Sequence, residues 1–381
     1  MTKSKVMVAA QYTGSANSVI PVARRLQEDD KVDLTLIANG PAISSFTQAG
    51  LSHSILNDYT SAEVEFEDEE KPNLLVTGSS GGWCVEKKLI LEARKRGVRS
   101  ISVIDLPVNY IVRVRNDKTG DNLGCMPDIH TALDAESLEK MVKEGLPRER
   151  LKITGNPYFD DIGELNAKFT IDKRKEIREY FGVHPEGSLI TFISQPIKGD
   201  LKANKTTDWG YNEETIFKIL SNGLNDMGYH GTFVIKFHPR ETFEDIVERT
   251  LLLKDMNLVM SGKEDATKRE YNNNYNTRET MKASNLVVGM MSTSLMEACL
   301  LDTDVLSLQV GLKTEDPLIT NKNGYSLGVY NTRELVPNLM KILYNGEFRE
   351  ELKQRRESFV EGNDGKATER VVKLIYEELK I

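Results

Sequence analysis

Short apolar runs alternate with longer segments of helical spacing along almost the whole chain. In the first half, Lys5–Gln11, Val32–Ala38, Ser52–Leu56, Asn73–Thr77, Ser100–Ile104 and Ile129–Leu133 read as strands. Between them, Ser18–Gln27 places Val19, Val22, Ala23 and Leu26 on one helical face, and Ile43–Gln48, Glu86–Arg96 and Glu136–Glu144 follow suit. An acidic stretch, Glu63–Glu70, separates two of these units. Strands that are apolar throughout and joined by helices predict a parallel sheet covered on both faces.

Gly155-Asn156-Pro157 interrupts the alternation and Lys168–Lys175 is polar, which places a hinge within 156–172. The logic then repeats. Helix Lys173–Phe181 precedes strand Leu189–Ile193, helix Glu213–Met227, strand Thr232–Phe237 and helix Phe243–Lys254. Strand Asn257–Met260, helix Arg278–Ala283, strand Leu286–Met290, helix Leu295–Leu301 and strand Val305–Leu308 come next. Helices near 332–345 and 364–380 close the chain, and the segment 262–276, with Asn272-Asn273-Asn274, reads as a polar loop. The expected class is α/β, with Rossmann-like doubly wound domains at 1–160 and 161–381, the last helix free to return to the first domain.

Composition narrows the class. The 381 residues exceed what one core usually serves, and 39% hydrophobic with 28% charged residues is a globular profile. A net charge of −8 argues against nonspecific nucleic-acid binding. No run approaches the roughly 18 apolar residues that span a bilayer, and the opening Met-Thr-Lys-Ser-Lys-Val lacks a signal-peptide core. Cys84, Cys125 and Cys299 show neither metal spacing nor an even disulfide set. A cytoplasmic protein is expected.

Two strand ends carry candidate chemistry. Thr232–Phe237 stops at His238-Pro239-Arg240-Glu241, delivering polar groups at a strand's carboxyl end. Leu286–Met291 runs into Ser292-Thr293-Ser294-Leu295-Met296-Glu297, where hydroxyls and free backbone N–H groups open a helix. Together they point to a phosphate-bearing ligand; singly, His238 is also explained as a capped loop histidine and the serines as N-caps of a core helix. In the first half, Gly14-Ser15-Ala16-Asn17 suits a loop passing close over a ligand, and Gly78-Ser79-Ser80-Gly81-Gly82 exposes backbone donors. Arg113 and Arg115 alternate along a segment that reads as extended, placed either to receive an anion or on a solvated face. Trp209-Gly210-Tyr211, in the loop 196–212, lines a sugar or base pocket or merely covers the surface.

Two α/β halves joined through Ile153-Thr154-Gly155-Asn156-Pro157-Tyr158-Phe159-Asp160 resemble the GT-B glycosyltransferase superfamily, including the non-hydrolysing UDP-N-acetylglucosamine 2-epimerases. His238-Pro239 with the hydroxyl cluster at 292–294 is similar to bacterial sialyltransferases, polysialyltransferases and CDP-glycerol-dependent polymer synthases. The epimerases are similar through His238, Arg240 and Glu241, with arginine where Pro239 stands. The chain departs from both branches. It has no acidic pair before a glycine in the first half, and Gly78–Gly82 replaces the Asp-Thr segment of the epimerases.

The resemblance implies a GT-B fold, two domains facing across a cleft, the acceptor on the first and the nucleotide on the second. It implies contacts to the nucleotide sugar from Gly14, Asn17, Gly78, Ser79, Gly155, Asn156, Gln195, Lys236, His238, Arg240, Ser292, Thr293 and Ser294, with Glu297 on the ribose hydroxyls. Lys236 and His238, two apart on a strand, are expected to share a face. Glu86, after a strand-to-helix turn, leads as general base, with Asp105 second and His238 as a further acid–base group; Asp128 and His130 stand at the wrong strand end. No cofactor or metal is called for, because the nucleotide sugar is a substrate and helix starts can offset a diphosphate's charge. The expected partners are that donor and a carbohydrate or other hydroxyl acceptor, without nucleic acid; peripheral membrane contact and homo-oligomerisation stay open. Three functions follow from the resemblance: a transferase in surface polysaccharide or glycoconjugate synthesis, a 2-epimerase-like isomerase, and a non-catalytic nucleotide-sugar binder.

Overall fold

The computed structural model describes residues 3–56, 71–107, 109–202, 208–238, 241, 257–261 and 275–381. The acidic stretch Glu63–Glu70, Pro239, Arg240, the expected helix Phe243–Lys254 and Asn272–Asn274 lie outside the described residues. The chain divides into two compact units, residues 1–161 with 362–381, and residues 162–361.

The first unit is built on strands β1 (Ser4–Ala10), β2 (Val32–Ala38), β3 (Ser54–Ile55), β4 (Leu74–Thr77), β5 (Arg99–Ser102), β6 (Ile129–Ala132) and β7 (Leu151–Ile153). Their order is β3-β2-β1-β4-β5-β6-β7, parallel throughout. The two-residue period of a strand sends Val6 and Val8 to one face and Met7 and Ala9 to the other, so β1 is apolar on both sides. On the first face Val19, Val22, Ala23 and Leu26 of helix Thr13–Gln27 meet Val371, Val372 and Ile375 of the C-terminal helix Ala367–Leu379. That helix is started by Asp160, whose Oδ1 and Oδ2 accept from the Ala367 and Thr368 amides at 2.9 and 2.7 Å. On the second face sits helix Val85–Lys95.

The second unit repeats the plan with β8 (Leu189–Ile193), β9 (Thr232–Lys236), β10 (Asn257–Ser261), β11 (Leu286–Gly289), β12 (Val305–Leu308) and β13 (Leu327–Val329). Their order is β10-β9-β8-β11-β12-β13, again parallel. Phe192, Phe217 and Phe233 stack edge-on at its core. Both sheets therefore reverse direction next to their first strand, between β1 and β4 and between β8 and β11. Helices on either side diverge there and leave a crevice at the strands' carboxyl ends.

Several elements differ from expectation. Ile111–Arg115 is not extended: Tyr110–Val114 is a short helix, because Tyr110 and Val114, four apart, are both buried on one side. The short edge strands β7 and β13 carry too little apolar length to be recognised from pattern. A helix at Gly346–Glu361 was hidden by its charge; its buried stripe is Phe348, Leu352 and Arg356, the last neutralised by Asp304 at 3.0 Å and Asp302 at 3.3 Å. Tyr211 belongs to the second core and Trp209 packs on it, so neither is a free loop aromatic.

Candidate functional site

At the reversal point of the first sheet, the loops after β1 and β4 are locked together. Gln11 donates its amide to Glu86 Oε1 at 2.9 Å, and its own side-chain Oε1 accepts from the Val85 amide at 2.8 Å. Ser80 Oγ donates to the same Glu86 oxygen at 2.9 Å. Glu86 is only 2% exposed, and its Oε2 is buried without a hydrogen-bond partner. The leading base candidate is thus sealed into the turn, one oxygen committed to holding β1 against the helix start.

Asp105 stands differently. It follows β5, and its Oδ1 accepts from Arg113 Nη1 at 2.6 Å. The same nitrogen donates to the Ser79 carbonyl at 2.8 Å and to Ser79 Oγ at 3.1 Å. Asn156 Nδ2, from the turn after β7, donates to the Asp105 carbonyl at 2.8 Å. Gly14 to Asn17 form the first turn of helix Thr13–Gln27 rather than a loop, and Gly14 packs close to the carboxylate: a Cβ there would come 2.3 Å from Asp105 Oδ2. Gly78 is equally constrained, since its Cβ would meet the Ser15 carbonyl at 2.4 Å. Groups from the ends of β1, β4, β5 and β7 therefore gather around Asp105, through its carboxylate, its backbone carbonyl and its partner Arg113. Gly14, Gly78, Ser79, Asp105 and Asn156 come together; Asn17 lies half-buried further along its helix, and Gly155 sits beside Asn156 against Ala367.

Asp128 accepts from the Ser100 amide and hydroxyl at 2.9 and 3.1 Å, a staple at the amino ends of β5 and β6. His130 is wholly buried in β6, with Nδ1 3.0 Å from the Ser102 carbonyl and Nε2 unpartnered. Burial pushes its pKa down to about 4.

In the second unit, Gln195 Oε1 accepts from the Met291 amide at 3.0 Å and so bridges the reversal point between β8 and β11. Glu241 links the two neighbouring strand ends, accepting from Ser194 Oγ at 2.7 Å and from the His238 amide at 2.7 Å. Ser292 caps helix Thr293–Leu300, its Oγ accepting from the Ser294 amide at 3.2 Å, while Thr293 is exposed. Glu297, one turn along, is held by Arg278 Nε at 2.9 Å. His238 and Ser292 follow β9 and β11, the two strands that flank β8. Lys236 turns away from the edge: its Nζ donates to the Tyr275 carbonyl at 3.1 Å, and burial lowers its pKa to about 8. Arg240 lies outside the described residues.

Sequence reasoning missed the Gln11 clamp, the Arg113–Asp105 pair and Arg278, because none of these partners stands at a helix or strand spacing from the other. Among the described residues, no group of three or more His, Cys, Asp or Glu could hold a metal ion, and no helix is long and apolar enough to cross a membrane.

No protein-family model and no curated protein matches the chain. Solved structures do. It is similar to the S. aureus MnaA–UDP structure (TM-score 0.65, 16% identity, covering 99% of this chain and 97% of that one). It is also similar to UDP-GlcNAc 2-epimerase from Neisseria meningitidis bound to UDP-GlcNAc (0.64, 14%, 98% and 100%). A glycosyltransferase from Rickettsia africae follows (0.60, 11%, 100% of both chains). At such identities the likeness concerns the fold. That fold is α/β and GT-B-like, with two parallel Rossmann-like sheets.

Proposed function

We propose that the chain is an enzyme acting on a nucleotide-activated sugar, and that it transfers the sugar to a hydroxyl acceptor. The observation that carries this reading is the edge of the second sheet. There Ser292, Thr293 and Ser294 open a helix at the reversal point, with Gln195 bridging beneath them and Glu297 one turn on. Helix-start amides and hydroxyls supply positive potential for a diphosphate and stabilise it as it departs, so the scheme requires no metal. Glu297, oriented by Arg278, suits the ribose hydroxyls, and His238 the nucleotide from the β9 side.

The first sheet would receive the acceptor. Displacement needs one base: the acceptor O–H attacks the anomeric carbon, the base takes the proton, and the C–O electrons leave with the nucleotide's phosphate, a diphosphate for a CDP- or UDP-linked donor and a monophosphate for a CMP-linked one. Asp105 fits this better than Glu86, which is sealed at 2% exposure with Oε1 held by Gln11 and Ser80, whereas the Asp105 side chain keeps 15% exposure. A CDP-, CMP- or UDP-linked donor is compatible with the site, and glycoconjugate synthesis is the setting in which such transfers occur.

A second reading, a 2-epimerase working by elimination and re-addition of UDP, is favoured by the likeness to the Neisseria structure. Incubation with UDP-N-acetylglucosamine in heavy water without acceptor separates the two. Transfer predicts no deuterium at the sugar's second carbon; its incorporation there rejects the transferase in favour of the epimerase.

A further inference from the structure

Cations from three helices gather at the amino ends of β8, β11 and β12, the far end of the second sheet from the Ser292 helix start. Arg174 and Arg178, one turn apart on helix Ile171–Tyr180, both donate to the Ala283 carbonyl, at 3.4 and 3.3 Å. Arg178 also reaches Asn285 Oδ1 at 2.8 Å and the Gly187 carbonyl at 2.6 Å. Lys282 Nζ donates to the Leu301 carbonyl. Helix Gly346–Glu361 adds Arg349, Lys353 and Arg356. Asp302 and Asp304 are already taken: Asp304 by Arg349 at 2.8 Å and Arg356 at 3.0 Å, Asp302 by Arg356 at 3.3 Å. Arg174, Arg178, Lys282 and Lys353 have no carboxylate partner among the described residues. Burial and the Arg349 charge hold the Arg174 pKa below its ordinary value, and burial and Arg174 do the same to Arg178. Burial lowers Lys282 too, with Arg174, Arg356 and Lys353 acting against Asp302. Ala283 and Leu301 close helices Thr277–Ala283 and Thr293–Leu300, whose negative poles are worth about half a charge each. Those poles offset about one of the four cations without a carboxylate. Two guanidiniums on one neutral oxygen repel each other, so this end of the sheet is short of negative charge.

We infer that this end of the second sheet is a binding site for a small multivalent oxyanion of the phosphate or diphosphate class, held by Arg174, Arg178, Lys282 and Lys353. An ion with two or three negative charges matches what remains once the helix poles are counted. Guanidinium forks fit phosphate oxygens two at a time, and an ammonium adds a point charge beside them. Arg174 spends only Nε and Nη2, the latter on the Ser284 carbonyl at 3.4 Å, and contacts this long yield readily to an ion. Arg174, Arg178 and Lys282 are half-buried, within reach of a free ion and withdrawn from the flat surface of a bilayer. A five-residue strand such as β8 spans on the order of 15 Å, so the ion lies about that far from the strands' carboxyl ends and from any nucleotide there. The inference stands independently of the transferase reading.

The test titrates the full chain calorimetrically with pyrophosphate and with inorganic phosphate, in sodium chloride at fixed ionic strength. Wild type should bind pyrophosphate more tightly than phosphate. Arg174→Gln gives up only two long contacts, so it should fold, and its pyrophosphate affinity should fall about tenfold or more, the scale of a lost charge-assisted hydrogen bond. Lys353→Glu alters an exposed side chain with no bonded partner among the described residues, and should weaken pyrophosphate about threefold or more. Its melting temperature without oxyanion should stay at the wild-type value, which separates loss of the site from loss of the fold. Ser294→Ala, at the opposite end of the sheet, should leave this binding intact and reports on the nucleotide reading alone. No oxyanion binding by wild type, unchanged affinity in Arg174→Gln or in Lys353→Glu, or binding removed by Ser294→Ala instead overturns the inference. So does co-sedimentation with phosphatidic acid vesicles in place of pyrophosphate binding, which would assign the cluster to a membrane surface.

Discussion

Gln11 and Glu86 hold one another across the reversal point of the first sheet: the Gln11 amide donates to Glu86 Oε1 at 2.9 Å, and Gln11 Oε1 takes the amide of Val85, the residue before Glu86, at 2.8 Å. Removing the carboxylate strands a backbone donor and the Ser80 hydroxyl in a buried turn. Glu86→Ala should cost about 2–4 kcal/mol in urea unfolding, whereas Glu86→Gln, which keeps an acceptor, should cost about 1 kcal/mol or less. Equal losses in the two variants would show that the hydrogen bonds at Oε1 are not what matters.

Gly78 and Gly14 differ in what a methyl group would strike. At Gly78 it meets the backbone carbonyl of Ser15, which cannot swing aside, and at Gly14 the tip of the Asp105 side chain. Gly78→Ala should destabilise by about 2 kcal/mol or more through overpacking. Gly14→Ala should cost less and show itself in ligand binding, because the displaced group is the carboxylate. Melting temperatures and neutral-sugar titrations of both variants check the contrast.

His130 sets a pH dependence. Its pKa falls from 6.5 in the unfolded chain to about 4 in the native protein, so below pH 6.5 the unfolded state binds more protons. Stability from this residue is intact above pH 6.5 and declines as pH falls toward 4, by roughly 3 kcal/mol in all. His130→Gln should flatten that part of the stability profile. An unchanged slope between pH 6.5 and 4 would contradict it.

On the second sheet, His238→Ala and Ser294→Ala should each weaken UDP or CDP binding by about 1–3 kcal/mol, the range of a lost hydrogen bond to a charged ligand. Isothermal titration measures it. Unaltered affinity in both variants removes these residues from the nucleotide site.

The C-terminal helix is the last test. Val371, Val372 and Ile375 complete the first core, and Asp160 caps the helix start. Truncation after Glu361 should cost the first unit its cooperative unfolding, since each large side chain lost from the core is worth about 2–5 kcal/mol. Hydrogen exchange should then rise across β1 and β4 while β8 and β9 stay protected.

Local pattern carried most of the architecture. Strand Leu189–Ile193 is buried at every position and stands where its apolar run begins and ends, because a strand covered on both faces must be apolar, whereas Val32–Ala38 leaves Asp33 and Thr35 exposed on one face. Likewise the helical stripe Val19, Val22, Ala23 and Leu26 could bury only one way. Where energy comes from distant partners, pattern fell silent or misled. Tyr110–Val114 has the β-branched look of a strand, yet burying Tyr110 and Val114 together and pairing Arg113 with Asp105 favour one helical turn.

The candidate groups divide the same way. By itself the sequence determined the two α/β halves and the strand ends at which polar groups emerge, since periodicity is a one-dimensional property. Only the tertiary structure decided which of those groups remain available to a ligand. Glu86 and Asp105 look alike in the sequence, as carboxylates after strand ends. Folding seals the first against Gln11 and Ser80 and braces the second with Arg113, because a buried carboxylate must find its donors wherever the chain brings them.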